Sequence, residues 1–203
     1  MSLKTGRLLA LCYAAALALW LLVVGAGAVQ TAYYRHTGLG ATESLGLEDF
    51  TLTSIKDYEN EDDPEGAWFV STDSDPQMIW EGKAYLNRVV LKIRHEKPGN
   101  GVELYYRLGG QEQFSEKQVV YAKQTPEGWY SFDLRGKKVS GLRLDPDSLG
   151  GVPTRFEGVE LNAPWPWWKR LIPTGAEALL LVGLPLGVAA LLRQIAQWQG
   201  KEL

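Results

Sequence analysis

Two tryptophans beside turns, Trp80 and Trp129, and the turn residues Asp75 and Gln77 are the side chains of this 203-residue chain best suited to binding chemistry. Flat rings stack on apolar ligand faces and amide or carboxylate groups take polar edges, so together these residues form a candidate ligand-binding set. Trp68, Tyr85, Tyr105, Tyr106 and Tyr121 enlarge the pool of rings. The opposing reading places any single ring in the core, because a small domain needs large side chains inside. It gives Asp75 and Gln77 to a turn that Pro76 rigidifies.

Catalytic chemistry finds less support. A glycosidase needs two carboxylates a few ångströms apart across a cleft, and an abundance of Asp and Glu does not single out such a pair. There is no nucleophile elbow, phosphate loop or convincing metal spacing. Cys12 is the only cysteine and lies in an apolar run, which leaves no disulfide framework and no thiolate metal site. A zinc site built on imidazoles would need both histidines, His36 and His95. The run Asp57 to Gly66, DYENEDDPEG, offers oxygens to a structural calcium ion but lacks the ordered one-three-five spacing of a calcium loop. It reads as a solvated loop, and the expectation is no catalytic residue, no cofactor and no metal.

Charge is unevenly spread. Between Thr37 and Ala163 stand 14 basic and 22 acidic residues, a net of −8 against −3 for the whole chain. An acidic middle argues against nucleic acid, whose phosphates require clustered Lys and Arg. It also sets that domain off from anionic lipid heads.

Two apolar segments flank this middle. From Leu8 to Tyr34 there is no charged residue, and the core of the run is long enough to cross a bilayer. Lys4 and Arg7 precede it, which favours a cytoplasmic N-terminus. A cleaved signal peptide is the rival reading, since Ala26-Gly27-Ala28 suits a cleavage site. The length of the run and the interface anchors Tyr33 and Tyr34 favour an uncleaved helix. The second segment is expected as a helix from near Leu171 to Leu192. In APWPWWKRLIP before it, Trp165, Trp167 and Trp168 form an aromatic belt at the outer lipid surface, and Lys169 and Arg170 snorkel to phosphates. Pro164 and Pro166 keep the approach extended.

Glu177 is costly within this segment. One reading lets it snorkel to the interface; the other gives it, with the GxxxG residues Gly183 and Gly187, a contact to a partner membrane helix. Arg193 and Lys201 close the chain on the cytoplasmic side. The expected organisation is 1–34 as a stub and first membrane helix, 35–163 as an extracytoplasmic domain, and 164–203 as belt, second helix and tail. Both termini would be cytoplasmic.

Between Leu45 and Leu161 the pattern has period two. NRVVLKIRH sets Val89, Leu91 and Ile93 on one face, GVELYYRL sets Val102, Leu104 and Tyr106, and WYSFDLR sets Tyr130, Phe132 and Leu134. EDFTLTSI, AWFVST, PQMIW, KQVVYAK, VSGLRLD and TRFEGVEL supply further strands, divided by turn signals such as Glu96 to Gly101, Gly109-Gly110 and Gly150-Gly151. Eight or nine short strands without a helical segment predict an all-β, antiparallel sandwich flanked by two transmembrane helices.

Within roughly 45–162, STDSDPQMIW together with SGLRLDPDSLGGVPTRFEGVEL resembles the small jelly-roll domains, of galactose-binding and carbohydrate-binding-module type, found in extracytoplasmic parts of bacterial membrane proteins that build surface polysaccharides. The matching pieces are an Asp-Pro-Gln leading into a strand, a late Leu-Arg-Leu-Asp-Pro strand, a Gly-rich turn and a last strand. Arg143 and Asp145 in that late strand are expected to form a cross-strand charge pair. The resemblance implies a non-catalytic accessory of envelope polysaccharide synthesis or export, with a glycan or a membrane glycosyltransferase as partner beside the lipid bilayer. Two alternatives stand beside it: a structural subunit of a larger membrane complex without sugar affinity, and an exported hydrolase.

Overall fold

Helix α1 spans Leu3–His36 and α2 spans Gly175–Trp198 in a computed structural model that describes residues 3–97 and 100–199, with side chains described from residue 6 onward. Pro98, Gly99 and Lys201 lie outside the described residues, and Lys4 lies outside those with described side chains. Thirty-four residues make α1 about 51 Å long, and twenty-four make α2 about 36 Å. Both are long and apolar enough to cross a membrane, and the β-domain lies between them in the chain. Ala26-Gly27-Ala28 is helical within α1.

The second helix begins later than expected. Trp167–Leu171 forms a single 3-10 turn, and the α-helix starts only at Gly175. Pro173 disfavours helical geometry at Ile172. Thr174 and Glu177 then make a capping box: the Thr174 N–H donates to Glu177 Oε2 at 2.7 Å, and the Glu177 N–H donates to Thr174 Oγ1 at 3.4 Å. Glu177 therefore has a local task at the helix start. Tyr13 of α1 donates its hydroxyl to the Val182 carbonyl of α2 at 3.1 Å, while Pro185 leaves the neighbouring Leu181 carbonyl without its usual helical donor.

The chain divides into two units, one formed by the apolar helices with their flanks and the other by Thr31–Pro164. Among the described residues, the latter holds eleven strands: β1 Glu43–Leu45, β2 Thr51–Thr53, β3 Ile55–Asp57, β4 Ala67–Ser71, β5 Gln77–Trp80, β6 Ala84–His95, β7 Glu103–Leu108, β8 Val119–Tyr121, β9 Lys123–Gln124, β10 Tyr130–Asp145 and β11 Pro153–Leu161. All their pairings are antiparallel, in the order β2-β5-β10-β6-β11-β4-β3, with β7 joining β10 to β8. Two 3-10 turns, Leu47–Asp49 and Glu116–Gln118, interrupt the strands where none was expected.

β10 makes this an antiparallel sandwich. Its first half pairs with β6 and its second half with β5 and β7, so one long strand links the two halves of the folded-over sheet. The sequence suggested two strands, WYSFDLR and VSGLRLD. They are one, because Arg135 and Gly136 take positive φ (51° and 78°) and bulge the ladder without ending it. Gly136 also faces the Tyr85 hydroxyl, which would lie 2.2 Å from a Cβ there. The expected inward faces hold: Val89, Leu91, Leu104 and Phe132 are fully buried, with Ile93 and Leu134 almost so. They join Phe69, Met78, Leu142, Leu144 and Val159 in one core.

β1 pairs with β11, Glu43 opposite Leu161. Residues 42 and 162 are therefore neighbours, and the two connections toward the helices leave this domain side by side. Asn162 ties them together. At φ 51°, and only 5% exposed, it donates through Nδ2 to the carbonyls of Tyr85 (2.9 Å) and Ala41 (3.2 Å), and its Oδ1 accepts from the Asn87 N–H (2.8 Å). Thr42 Oγ1 donates to the Asn162 carbonyl at 3.2 Å. The end of α1 packs at the same place, with Tyr34 stacked on Tyr85 at 4.3 Å and Thr31 Oγ1 bonded to Asn87 Oδ1 at 3.2 Å.

Candidate functional site

Strand alternation sends Leu142 and Leu144 of β10, Leu104 of β7 and Met78 of β5 into the core, all fully buried. Their neighbours Arg143, Asp145, Glu103, Tyr105, Gln77 and Ile79 must then share the outer face. Register places Arg143 between Ile79 and Tyr105, and Asp145 directly opposite Glu103. A cleft of about 460 Å³ lies over this face, bounded by Ser74 and Asp75, by Gly101, by residues 114–116 and by Asp147 and Ser148.

Arg143 organises the cleft. Its Nε and Nη2 donate to the two oxygens of Asp145, each at 2.7 Å, and Nη2 also bonds Asp75 Oδ1. The Arg143–Asp145 pair runs along one strand, between residues two apart on the same face, and not across strands as expected. Asp75 and Gln77 do come together here, Gln77 Nε2 donating to Asp75 Oδ2 at 2.7 Å. Asp73 shapes the approach by accepting the Asp75 N–H at 2.8 Å and the Ser54 hydroxyl at 2.6 Å, and these bonds, the hydroxyl first, lower its pKa.

Burial shapes the site's charge. It raises the Asp145 carboxyl above its ordinary value, against the pull of Arg143, with the charges of Asp75 and Glu103 adding to the rise. Burial also works against the Arg143 cation, but its hydrogen bond and charge pairing with Asp145 outweigh that and hold it protonated. Tyr105 donates to Glu103 Oε2 at 2.6 Å, and this bond, then burial, raises the phenol. Asp147 is only 1% exposed. Its Oδ1 accepts the N–H groups of Leu149 (2.9 Å) and Gly150 (3.0 Å), while its Oδ2 is buried without a hydrogen-bond partner.

His95 lies in the same region. Its Nδ1 is 2.9 Å from Thr154 Oγ1, which itself donates to the Val152 carbonyl, so Nδ1 carries the proton and Nε2 is left buried and unpartnered. Burial lowers the His95 pKa, and the Asp147 charge opposes the shift.

The tryptophans take other places. Trp80 is half-buried, packs against the core and lies over Gly82. Trp129, also half-buried, has the Arg94 guanidinium 4.8 Å above its ring. Trp129 precedes the first residue of β10, whereas Trp80 pairs with Leu142 near its end, so the two do not form one platform. The cleft's own rings were not singled out as a set by sequence: Arg143 lies 5.0 Å over Tyr105, and Arg107 lies 4.8 Å over Phe114.

In the acidic loop, Asp63 Oδ2 accepts from Trp68 Nε1 at 3.0 Å and forms an ion pair with Arg155 Nε at 3.0 Å. Among the described residues no group of three or more His, Cys, Asp or Glu is placed to hold a metal ion. In the helical unit, Trp167 and Trp168 are 74% and 48% exposed, and Lys169 sits 5.7 Å from the Trp165 ring and 6.0 Å from that of Trp168.

By sequence, no family model and no curated protein matches the chain. By structure it is similar to a low-affinity xylan-binding module, CBM86, from Roseburia intestinalis, at 11% identity over 60% of this chain and 95% of that one, with a TM-score of 0.40. A fucose-binding module, SpX-3, from Streptococcus pneumoniae matches at 14% identity over 57% and 93%, with a TM-score of 0.42. A family 6 carbohydrate-binding module from Clostridium cellulolyticum, solved with xylose, matches at 8% identity over 59% and 95%, with a TM-score of 0.41. All three are carbohydrate-binding modules, the class whose strand motifs the sequence resembles.

Proposed function

We propose that this is a membrane-anchored, non-catalytic accessory of cell-envelope polysaccharide synthesis or export, whose extracytoplasmic sandwich binds a glycan or the membrane enzyme that handles it. One observation carries the reading: an open polar cleft in which Arg143, Asp75, Asp145 and Glu103 converge beside two aromatic rings, with Gln77 holding Asp75 from behind by a hydrogen bond. Such a set of fixed donors and acceptors suits a polyhydroxylated ligand. Arg143 pairs with Asp145 and Asp75 and so holds these two carboxylates in place as binding groups.

The cations Lys4 and Arg7 at the start of α1 keep the N-terminus in the cytoplasm, and the belt of Trp165, Trp167 and Trp168 with Lys169 and Arg170 sits at the outer interface. The sandwich is then outside and both termini are inside. A second reading makes the chain a structural subunit of a larger membrane complex, with Glu177, Gly183 and Gly187 turned to a partner helix. It is favoured by the open space at Gly183 and Gly187, where an added Cβ would meet nothing within 4 Å.

The test is glycan binding by the full chain in phosphatidylcholine nanodiscs. Envelope glycans should bind with measurable affinity, and Arg143→Ala should weaken binding about tenfold or more, the scale of one lost charge-assisted contact. Silence across envelope glycans would sink this reading and favour the second.

A further inference from the structure

We infer that the cleft selects a glycan bearing free amino groups over neutral or acidic ones, an inference that rests on the glycan-binding reading above. Among the described residues five carboxylates line the cleft, those of Asp75, Glu103, Glu116, Asp145 and Asp147, against one cation, Arg143. Arg143 directs Nε and Nη2 to Asp145 and Asp75. Glu103 stands directly opposite Asp145 across the β7–β10 ladder, and like charges so opposed destabilise a sheet. Its bond from the Tyr105 hydroxyl supplies a proton donor but no compensating charge.

Asp147 adds an independent observation. A carboxylate that is 1% exposed, lines the cleft and leaves Oδ2 without a hydrogen-bond partner is costly unless a ligand supplies a donor. A hydroxyl would bring the donor alone. An ammonium brings up to three donors and the missing positive charge. A uronic acid would add a further negative charge to the same face. The rings do not shift the balance toward neutral stacking, because one face of Tyr105 is covered by Arg143 and one face of Phe114 by Arg107.

The experiment is calorimetric titration of the full chain in phosphatidylcholine nanodiscs with three oligosaccharides of equal length: glucosamine, N-acetylglucosamine and galacturonic acid. The glucosamine oligomer should bind at least about tenfold more tightly than the acetylated one, with the difference shrinking at high salt. Glu103→Gln and Glu116→Gln should each narrow the difference, while Glu61→Gln and Asp62→Asn in the exposed acidic loop should leave it intact. Equal or tighter binding of the acetylated or acidic oligomer would overturn the amine preference while leaving glycan binding in place. So would equal narrowing by the loop variants, which would show diffuse attraction to an acidic surface. If no envelope glycan binds at all, both the preference and the glycan reading fall.

Discussion

Asn162→Ala should lower the unfolding free energy of the sandwich by about 3 kcal/mol, the sum expected for buried backbone groups left unpaired and for an alanine held in left-handed geometry. The side chain serves two carbonyls and one N–H, and it is only 5% exposed, so water is poorly placed to replace it. Its backbone φ of 51° is tolerated by Asn better than by Ala. Thermal unfolding followed by circular dichroism should show a fall of about 10 °C. Asn162→Asp should be no better, because a carboxylate oxygen would face the carbonyls of Ala41 and Tyr85. A loss below about 1 kcal/mol for both variants would show that the two chain connections are held together by other contacts.

Arg143→Ala should also destabilise the fold, by about 3 kcal/mol at pH 7, because it leaves a buried carboxylate without its cation. Asp145 is 8% exposed and stands opposite Glu103, so its charge would face a second negative group. The pH dependence fixes the sign. Burial already raises the folded-state pKa of Asp145 above its ordinary 3.8, so the folded protein binds more protons and loses stability as pH rises through that window. Removing Arg143 takes away the opposing pull and extends the window upward. The variant's deficit against the wild type should be greatest near neutrality and shrink as pH falls toward 4. Arg143→Ala combined with Asp145→Asn should recover much of the loss at pH 7. Denaturant titrations at pH 7 and 4.5 measure both effects, and a pH-independent deficit would rule out the uncompensated charge as its cause.

Features set by local pattern were legible in the sequence, and features set by register were not. Two apolar runs announce themselves by length, and NRVVLKIRH announces its buried face by strict alternation. The apolar run reads back to Leu171, but Pro173 and the Thr174/Glu177 capping box set the start of α2 at Gly175. Arg135-Gly136 looked like the end of a strand because a bulge and a turn use the same residues. Asp75 and Gln77 were found through the turn that carries them, yet Glu103 and Asp145 meet only because β7 and β10 pair in one register. Asn162 gave no signal at all, since its importance lies in three backbone groups distant in sequence. Trp80 and Trp129 drew attention by type, while the ladder decides that they sit toward opposite ends of β10.

In the proposed arrangement the sandwich faces outward from a membrane that both helices cross. Single cysteines at Ser2, Asp62 and Gln199, each placed in a Cys12→Ala background, can be challenged with a membrane-impermeant maleimide on intact cells. Asp62→Cys should label at once, and Ser2→Cys and Gln199→Cys only after the membrane is permeabilised. Labelling of either terminal cysteine from outside, or protection of Asp62→Cys until lysis, would contradict it.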